Sequence, residues 1–325
     1  MSNHKERVFW ILYGMVLVLL FLLSSTDLII KEKKAQIYAI SVIVEDTVDD
    51  NYVNFRKGMD RAAIEYNVDV SFITLYDEGS REQQEELILR EQQDGSRALV
   101  VSPVDSGQIL QMQADKRVSV PLVFLNSELS SVGDELSARI TFDYYQMGQE
   151  LAGQVLAEQP PGQRFYLLGK RQPDQISRQF ADGIENVFSA ADCEVTFLPS
   201  SRAGEQKQQV KAVWEQDFGR AVMIALDPVS LTEAAQVLSD SERPEGAGGL
   251  YGRGTTVRLL NYLDRGVIQG LSITDDFTAG YLSVSTAVKL AGNQPVPALG
   301  YLESHYIRRE DLRRTEYEKL LYPIE

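Results

Sequence analysis

From Gln36 onward, short apolar runs alternate with longer segments in which apolar residues recur every three or four positions. "QIYAISVIVED", "VDVSFITL", "RALVVSP" and "PLVFLN" are brief, rich in β-branched residues and bounded by turn formers, so they read as strands, with "ARITF" a shorter one. Between the first two, Phe55, Met59, Ala62, Ala63 and Tyr66 form one stripe on an otherwise polar helix. "SREQQEELILREQQ" and "SGQILQMQADKR" supply further helices. The second half repeats the pattern. Helix "DYYQMGQELAGQVLAE" opens on Asp143, a good N-cap residue, as Asp105 is in "SPVDS". Strands "RFYLLG", "CEVTFL", "RAVMIAL", "GGLYG" and "VIQGLSIT" then alternate with helices, and the long helix "FTAGYLSVSTAVKLAG" precedes "VPALGYLESHYI" and a charged tail. Continuously apolar strands are expected in a parallel sheet covered on both faces. Two successive βα sets predict two doubly wound α/β lobes. Ligands of such sheets collect outside the carboxyl ends of the strands, so a cleft between the lobes is the expected site.

The N-terminus departs from this alternation. Residues 1–7 read as a short cytoplasmic tail and 8–30 as a transmembrane anchor or signal segment, apolar without a break over 8–23. Counting the hydroxyl residues to Thr26, the stretch meets the lower limit of about 17 residues for a span. "FLLSSTD" lacks the small-residue pattern of a cleavage site, and no cysteine follows to carry a lipid. An uncleaved single-pass anchor at the cell membrane, with the binding domain extracytoplasmic, is the reading preferred to a cleaved signal.

Charge and composition narrow the function. A formal net charge of −15 over 325 residues leaves no basic footprint for nucleic acid. Cys193 is the single cysteine, which excludes an internal disulfide framework and a Cys-rich metal site. His4 and His305 are the two histidines, too few for hydrolytic triads to have support. The adjacent acids Glu85/Glu86 and Asp275/Asp276 point apart rather than converge. "GLYGRGTTV" sets Arg253 between two glycines, yet lacks the third glycine of a dinucleotide fingerprint and the lysine of a phosphate loop. No metal, cofactor or enzymatic activity is expected.

"SVIVEDTVDDNYVNFRKGMDRAAIEYNVDV", "RALVVSPVDS", "VPLVFLNSEL", "FDYYQMGQELAGQVLAE", "AVMIALDPVSLTEAAQVL" and "GVIQGLSITDDFTAGYLSVSTAVKL" together resemble the sugar-binding, ribose-binding-like branch of the type I periplasmic binding proteins. The likeness covers about 36–307. It implies a first lobe of 36–142 plus 276–300 and a second of 143–273 plus 301–308. A three-strand hinge near 141–143, 272–276 and 300–303 would join them, and 309–325 would be a charged tail. Lactose-repressor-type regulators share this core, but carry a helix-turn-helix where this chain has its apolar segment. The resemblance also implies a ligand set: Asp49, Asn51, Tyr52, Asn126, Arg178, Phe180, Asp227, Arg253, Thr274 and Asp275. Several of these depart from the family pattern. Arg253 stands where relatives have an aspartate, Asn126-Ser127 where they have Asp-Arg, Leu226-Asp227 for Asn-Asp, and Phe180 for an arginine, with Arg178 two places earlier. Each has a structural alternative: Tyr52 as an anchor for the first helix, Asp227 before Pro228 as a turn starter, Arg253 as a partner of Asp275 or Asp276.

The function so implied is a receptor that closes two lobes over a small polar ligand for an ABC-type importer permease. The ligand would be a sugar, sugar acid or phosphorylated sugar. Exchanging an acceptor for the donor fork of Arg253 favours the acidic members of that class. The alternative is a ligand-sensing accessory of a two-component membrane histidine kinase, with Leu312, Tyr317, Leu320 and Leu321 on a docking helix in the tail.

Overall fold

Strand pleating assigns each residue of the first sheet to one of two cores. The computed structural model describes residues 2–25, 38–45, 49–127, 129, 136–202, 204–241 and 248–323. After helix α1 (Ser2–Ser25), strands β1 (Ala39–Val44), β2 (Asp69–Thr74), β3 (Ala98–Val101), β4 (Leu122–Leu125) and β5 (Ser137–Ile140) form a parallel sheet in the order 2-1-3-4-5. Helices α2 (Val53–Tyr66), α3 (Arg81–Gln93) and α4 (Ser106–Ala114) connect its strands. Ile40, Val42, Val100 and Val123 turn to the α2 face, while Ile43, Leu99, Val101 and Phe124 turn to α3 and α4. The inner strands β3 and β4 are buried on both faces, which is why they are apolar throughout, while the edge strands β2 and β5 keep polar residues.

The second lobe contains α5 (Tyr144–Glu158), β6 (Arg164–Lys170), α6 (Gln175–Ala190), β7 (Val195–Ser200), α7 (Glu205–Gln216), β8 (Ala221–Ala225), α8 (Pro228–Ser239), β9 (Gly249–Arg253), α9 (Val257–Asp264) and β10 (Gly270–Thr274). Its parallel strands lie in the order 10-9-8-6-7. Helix α10 (Asp276–Ala291) returns to pack on α2, and β11 (Ser304–Ile307) closes the second sheet. β11 is antiparallel to β10, whereas the alternation led us to expect parallel lobes. It re-enters from the first lobe without the crossover helix that a parallel partner requires. The chain passes between lobes at 141–143, 274–276 and 300–303. There Leu302 N–H donates to Thr141 O at 2.9 Å, and Phe142 and Leu302 form a parallel bridge.

One expectation is not shown and another is corrected. α1 belongs to a unit separate from the body that begins at Tyr38, and among the described residues no helix is long and apolar enough to cross a membrane. The rest of the expected 8–30 span, 26–30, lies outside the described residues. The tail is also not a free docking helix. In α11 (Thr315–Leu321), Leu321 is buried, and Leu312, Tyr317 and Leu320 pack on the second-lobe core. Asn54 Nδ2 donates to Leu321 O at 3.1 Å and Lys57 Nζ to Pro323 O at 3.2 Å, so the segment straps α2 of the first lobe to the second.

Candidate functional site

The carboxyl ends of both sheets open on one cavity of about 500 Å³, a volume within the small-molecule range. Glu45, Ser102 and Asn126 reach it from the ends of β1, β3 and β4, and Lys170, Asp227, Arg253 and Thr274 from the ends of β6, β8, β9 and β10. Lys170 pairs with Glu78, from the loop after β2, and so ties one lobe to the other across the cavity.

Arg253 is the last residue of β9, and the flanking glycines are there for the chain rather than for a phosphate. Gly254 has φ +142, and a Cβ there would meet Leu259 Cδ1 at 2.6 Å; at Gly252 a Cβ would meet Ala225 O at 2.9 Å. The guanidinium is oriented by three contacts. Nε donates to Leu226 O at 2.7 Å, Nη2 donates to Ser177 Oγ at 3.2 Å, and Cζ lies 5.8 Å from the Tyr144 ring centroid. Ser177 is itself held by its N–H donating to Asp174 Oδ1, the cap of α6. The other Arg253 N–H groups have no protein acceptor among the described residues. Burial pushes the Tyr144 hydroxyl far above its ordinary range, so it is a neutral donor beside the guanidinium.

Asn51, Tyr52, Asn126, Arg178, Asp227 and Thr274 also line the cavity. Tyr52 anchors the start of α2, its ring 5.3 Å from Phe72 and 6.1 Å from Phe55, and also lines the cleft. Asn126 sits in the left-handed region at φ +54, which asparagine tolerates. Asp227 caps α8, with Oδ1 accepting from Ser230 N and Oδ2 from Ser230 Oγ, both at 2.8 Å. The Asp49 side chain lies outside the described residues. Phe180 and Asp275 are corrections. Phe180 is fully buried on the core stripe of α6, with Ile184 and Phe188, so it is packing and not a ligand contact. Asp275 is spent on capping α10, its Oδ1 accepting from Thr278 N at 2.9 Å, and the next residue lines the cavity instead.

That next residue, Asp276, was missed, as were Tyr144, Lys170, Gln175 and Thr255. Asp276 accepts from Thr255 Oγ1 at 2.6 Å and Thr274 Oγ1 at 2.7 Å. Burial pushes its carboxyl up to about 6, against those two hydroxyls and Arg253, with the Asp275 charge adding to the rise. The folded protein therefore takes up this proton more readily than the unfolded chain. The stability it contributes is full below about pH 4 and is lost as pH rises through 6. Asp276→Asn should flatten the melting profile between pH 4 and 6.5. At pH 7.5 it should stabilise the ligand-free protein by on the order of 2 kcal/mol, a figure reduced for the partial hydration of a cleft. A variant less stable than wild type at pH 7.5 would show that the hydroxyl bonds outweigh the burial.

Arg253 is thus not a lone cation. Asp174 and Asp276 lie near it, Asp174 and Asp227 act on Lys170, and Lys170 is already paired. The preference for an acidic ligand read from Arg253 alone loses its basis in this company.

A family model described as a periplasmic binding protein domain matches residues 40–295. Among solved structures, a carbohydrate transporter solute-binding protein from Agrobacterium radiobacter in complex with D-arabinose superposes with TM-score 0.76 at 17% identity, covering 88% of this chain and 99% of its own. An ABC transporter solute-binding protein from Agrobacterium vitis, bound with α-D-tagatopyranose, gives 0.75 at 16%, covering 88% and 100%. GanP, a glucose-galactose binding protein from Geobacillus stearothermophilus, gives 0.71 at 17%, covering 86% and 100%. At these identities the likeness is one of fold. A search of curated proteins finds no match.

Proposed function

The chain belongs to the periplasmic binding protein domain family, and on that premise we propose that it is an extracytoplasmic receptor whose lobes enclose a neutral monosaccharide for an ABC-type importer. It binds without chemistry. The supporting observation is the charge pattern of the cleft: one oriented guanidinium with donors to spare, carboxylates around it, and the Tyr52 ring at one wall. Such a lining gives hydroxyl groups both donors and acceptors while offering a net anion little advantage. The sugars bound by the two Agrobacterium structures are uncharged, which fits the same reading. The sensing-accessory alternative, which drew on the apolar stem, the altered pocket and the charged tail, is not favoured: the tail packs on the core of its own lobe.

Thermal unfolding of the full-length protein with D-arabinose, D-allose, D-tagatose, D-glucose and D-galactose, against D-glucuronate and D-glucose 6-phosphate, tests this. A neutral sugar at a hundred times its Kd should add about 2.7 kcal/mol, several degrees in Tm. A shift with the acids alone would restore the anionic-ligand reading, and no shift with any would defeat the receptor.

A further inference from the structure

The lobes are linked by more than the three chain crossings. Beyond β11, the segment 308–323 is rooted in the second lobe. Leu321 is buried in its core with Leu312, Tyr317 and Leu320 against it, and the Tyr317 ring lies 5.5 Å from the His305 ring of β11. Ion pairs run from Arg308 to Glu158 at 3.7 Å and from Arg309 and Arg313 to Asp264 at 3.9 and 3.8 Å. The far end of the segment is held by the first lobe. Asn54 Nδ2 donates to Leu321 O and Lys57 Nζ to Pro323 O, and Pro323 is buried. A segment outside the sheets keeps one place only when it is tied down in this way. Both donors stand on α2 beside Tyr52 and Phe55, which line the cavity, yet neither donor lines it.

We propose that this segment is a strap that restrains the hinge: by gripping α2 it holds the lobes together over the cleft and lengthens the stay of a bound ligand. The restraint stands on the bonds alone, while the effect on the ligand rests on the monosaccharide-receptor reading and deepens it. The three crossings lie side by side, joined by the Leu302 N–H bond to Thr141 O and the Phe142–Leu302 bridge. They form an axis about which the lobes can turn, because a few residues absorb the change in φ and ψ. The strap is attached elsewhere, to side chains of α2. A turn that carries α2 away from the second lobe lengthens both of its bonds, and an N–H···O bond is lost beyond about 3.5 Å. Opening must therefore break the Asn54 and Lys57 bonds as well as the Lys170–Glu78 pair at the cavity. The two ties differ in kind. The pair joins half-exposed charges and weakens with salt, whereas the strap's acceptors are backbone carbonyls of two buried residues. A ligand enclosed in the cleft leaves only through opening, so ties that resist opening act first on the dissociation rate.

The test cuts the grip and leaves the strap in place: Asn54→Ala with Lys57→Ala, in the full-length protein. Spin labels at Glu86→Cys on α3 and Lys207→Cys on α7, exposed positions in the two lobes, report the lobe-to-lobe distance in a Cys193→Ser background. The double alanine variant should shift the distance distribution toward longer values. Stopped-flow chase would follow whichever of the five neutral monosaccharides wild type binds. Its dissociation should quicken about tenfold, with Kd rising by no more than that factor. Deleting 323–325, which keeps Leu321 in its core, should move both readouts the same way by a smaller factor, and it decides the matter if the alanine variant does not fold. Distances unchanged from wild type overturn the strap, whatever the protein binds. Longer distances with an unchanged dissociation rate overturn its hold on the ligand. A Kd that rises further than the dissociation rate means that these side chains shape the site itself, and overturns it too. Wild type that binds none of the five sugars defeats the receptor reading, and the distances still judge the strap.

Discussion

Arg253→Ala will cost the cleft about a hundredfold or more in affinity for its monosaccharide, roughly 2.7 kcal/mol. The side chain is held by the Leu226 carbonyl, the Ser177 hydroxyl and the Tyr144 ring before any ligand arrives. Little rotamer entropy is then left to lose on binding, and its remaining N–H groups are aimed in advance. Hydrogen bonds to a charged group contribute about 1.5–3 kcal/mol each. Arg253→Lys will not rescue binding, because an ammonium reproduces neither the Nε–H bond to Leu226 nor the planar fork. The substitution also removes a cation that lowers the Asp276 carboxyl, so that group should titrate higher still and the loss of affinity should be deepest on the acid side of neutrality. Calorimetric Kd measurements at pH 5.5 and 7.5, beside the ligand-free Tm, separate this from unfolding. Binding within threefold of wild type at both pH values would remove Arg253 from the site.

The residues that proved legible are those whose role depends on local geometry. Asp105 and Asp143 cap α4 and α5, each accepting from the backbone N–H three residues on. Arg253 at the end of a strand before a helix was marked by the same local logic, since that is where open α/β sheets expose side chains to a cleft. What could not be read depends on phase and on the second lobe. In "SITDDF" the two aspartates differ by one step of helix, about 100° of rotation, which makes one a cap and sends the other into the cavity. Periodicity places Phe180 on the same stripe as Ile184 and Phe188, and that stripe should have outweighed the family position. Lys170 gave no signal, because its partner, Glu78, lies across the cavity. The carboxylates near Arg253 likewise converge from two separate stretches of the chain, at Asp174 and at Asp276.

The largest effect on stability should come from a methyl group. α5 crosses α6 with backbone against backbone: a Cβ on Gly148 would meet Phe180 O at 2.1 Å, and one on Gly183 would meet Tyr145 O at 2.0 Å. The first lobe has the same device, with Gly58 against Phe277 O and Gly280 against Phe55 O, each at 2.0 Å. None of these glycines is needed for a positive φ. Each is needed for the close approach, and a carbonyl in a helix cannot swing aside as a side chain can. Gly148→Ala must force the two helices apart by more than an ångström, opening the core that Leu151, Ile184 and Phe188 share. A cost of about 3 kcal/mol or more is expected, at or beyond the upper end of overpacking penalties because the obstacle is backbone. Gly153, five residues along the same helix, has nothing within 4 Å of its would-be Cβ. There the same substitution should stabilise by about 0.5–1 kcal/mol through helix propensity alone. Urea midpoints of the two variants should therefore move in opposite directions from wild type. The displaced α6 also carries Gln175 and the Ser177 support of Arg253, so Gly148→Ala protein that still folds should bind sugar more weakly, while Gly153→Ala should bind as wild type does. Equal midpoints for the two alanine variants would mean that the helices part without cost, and that their close approach does not hold the cleft in shape.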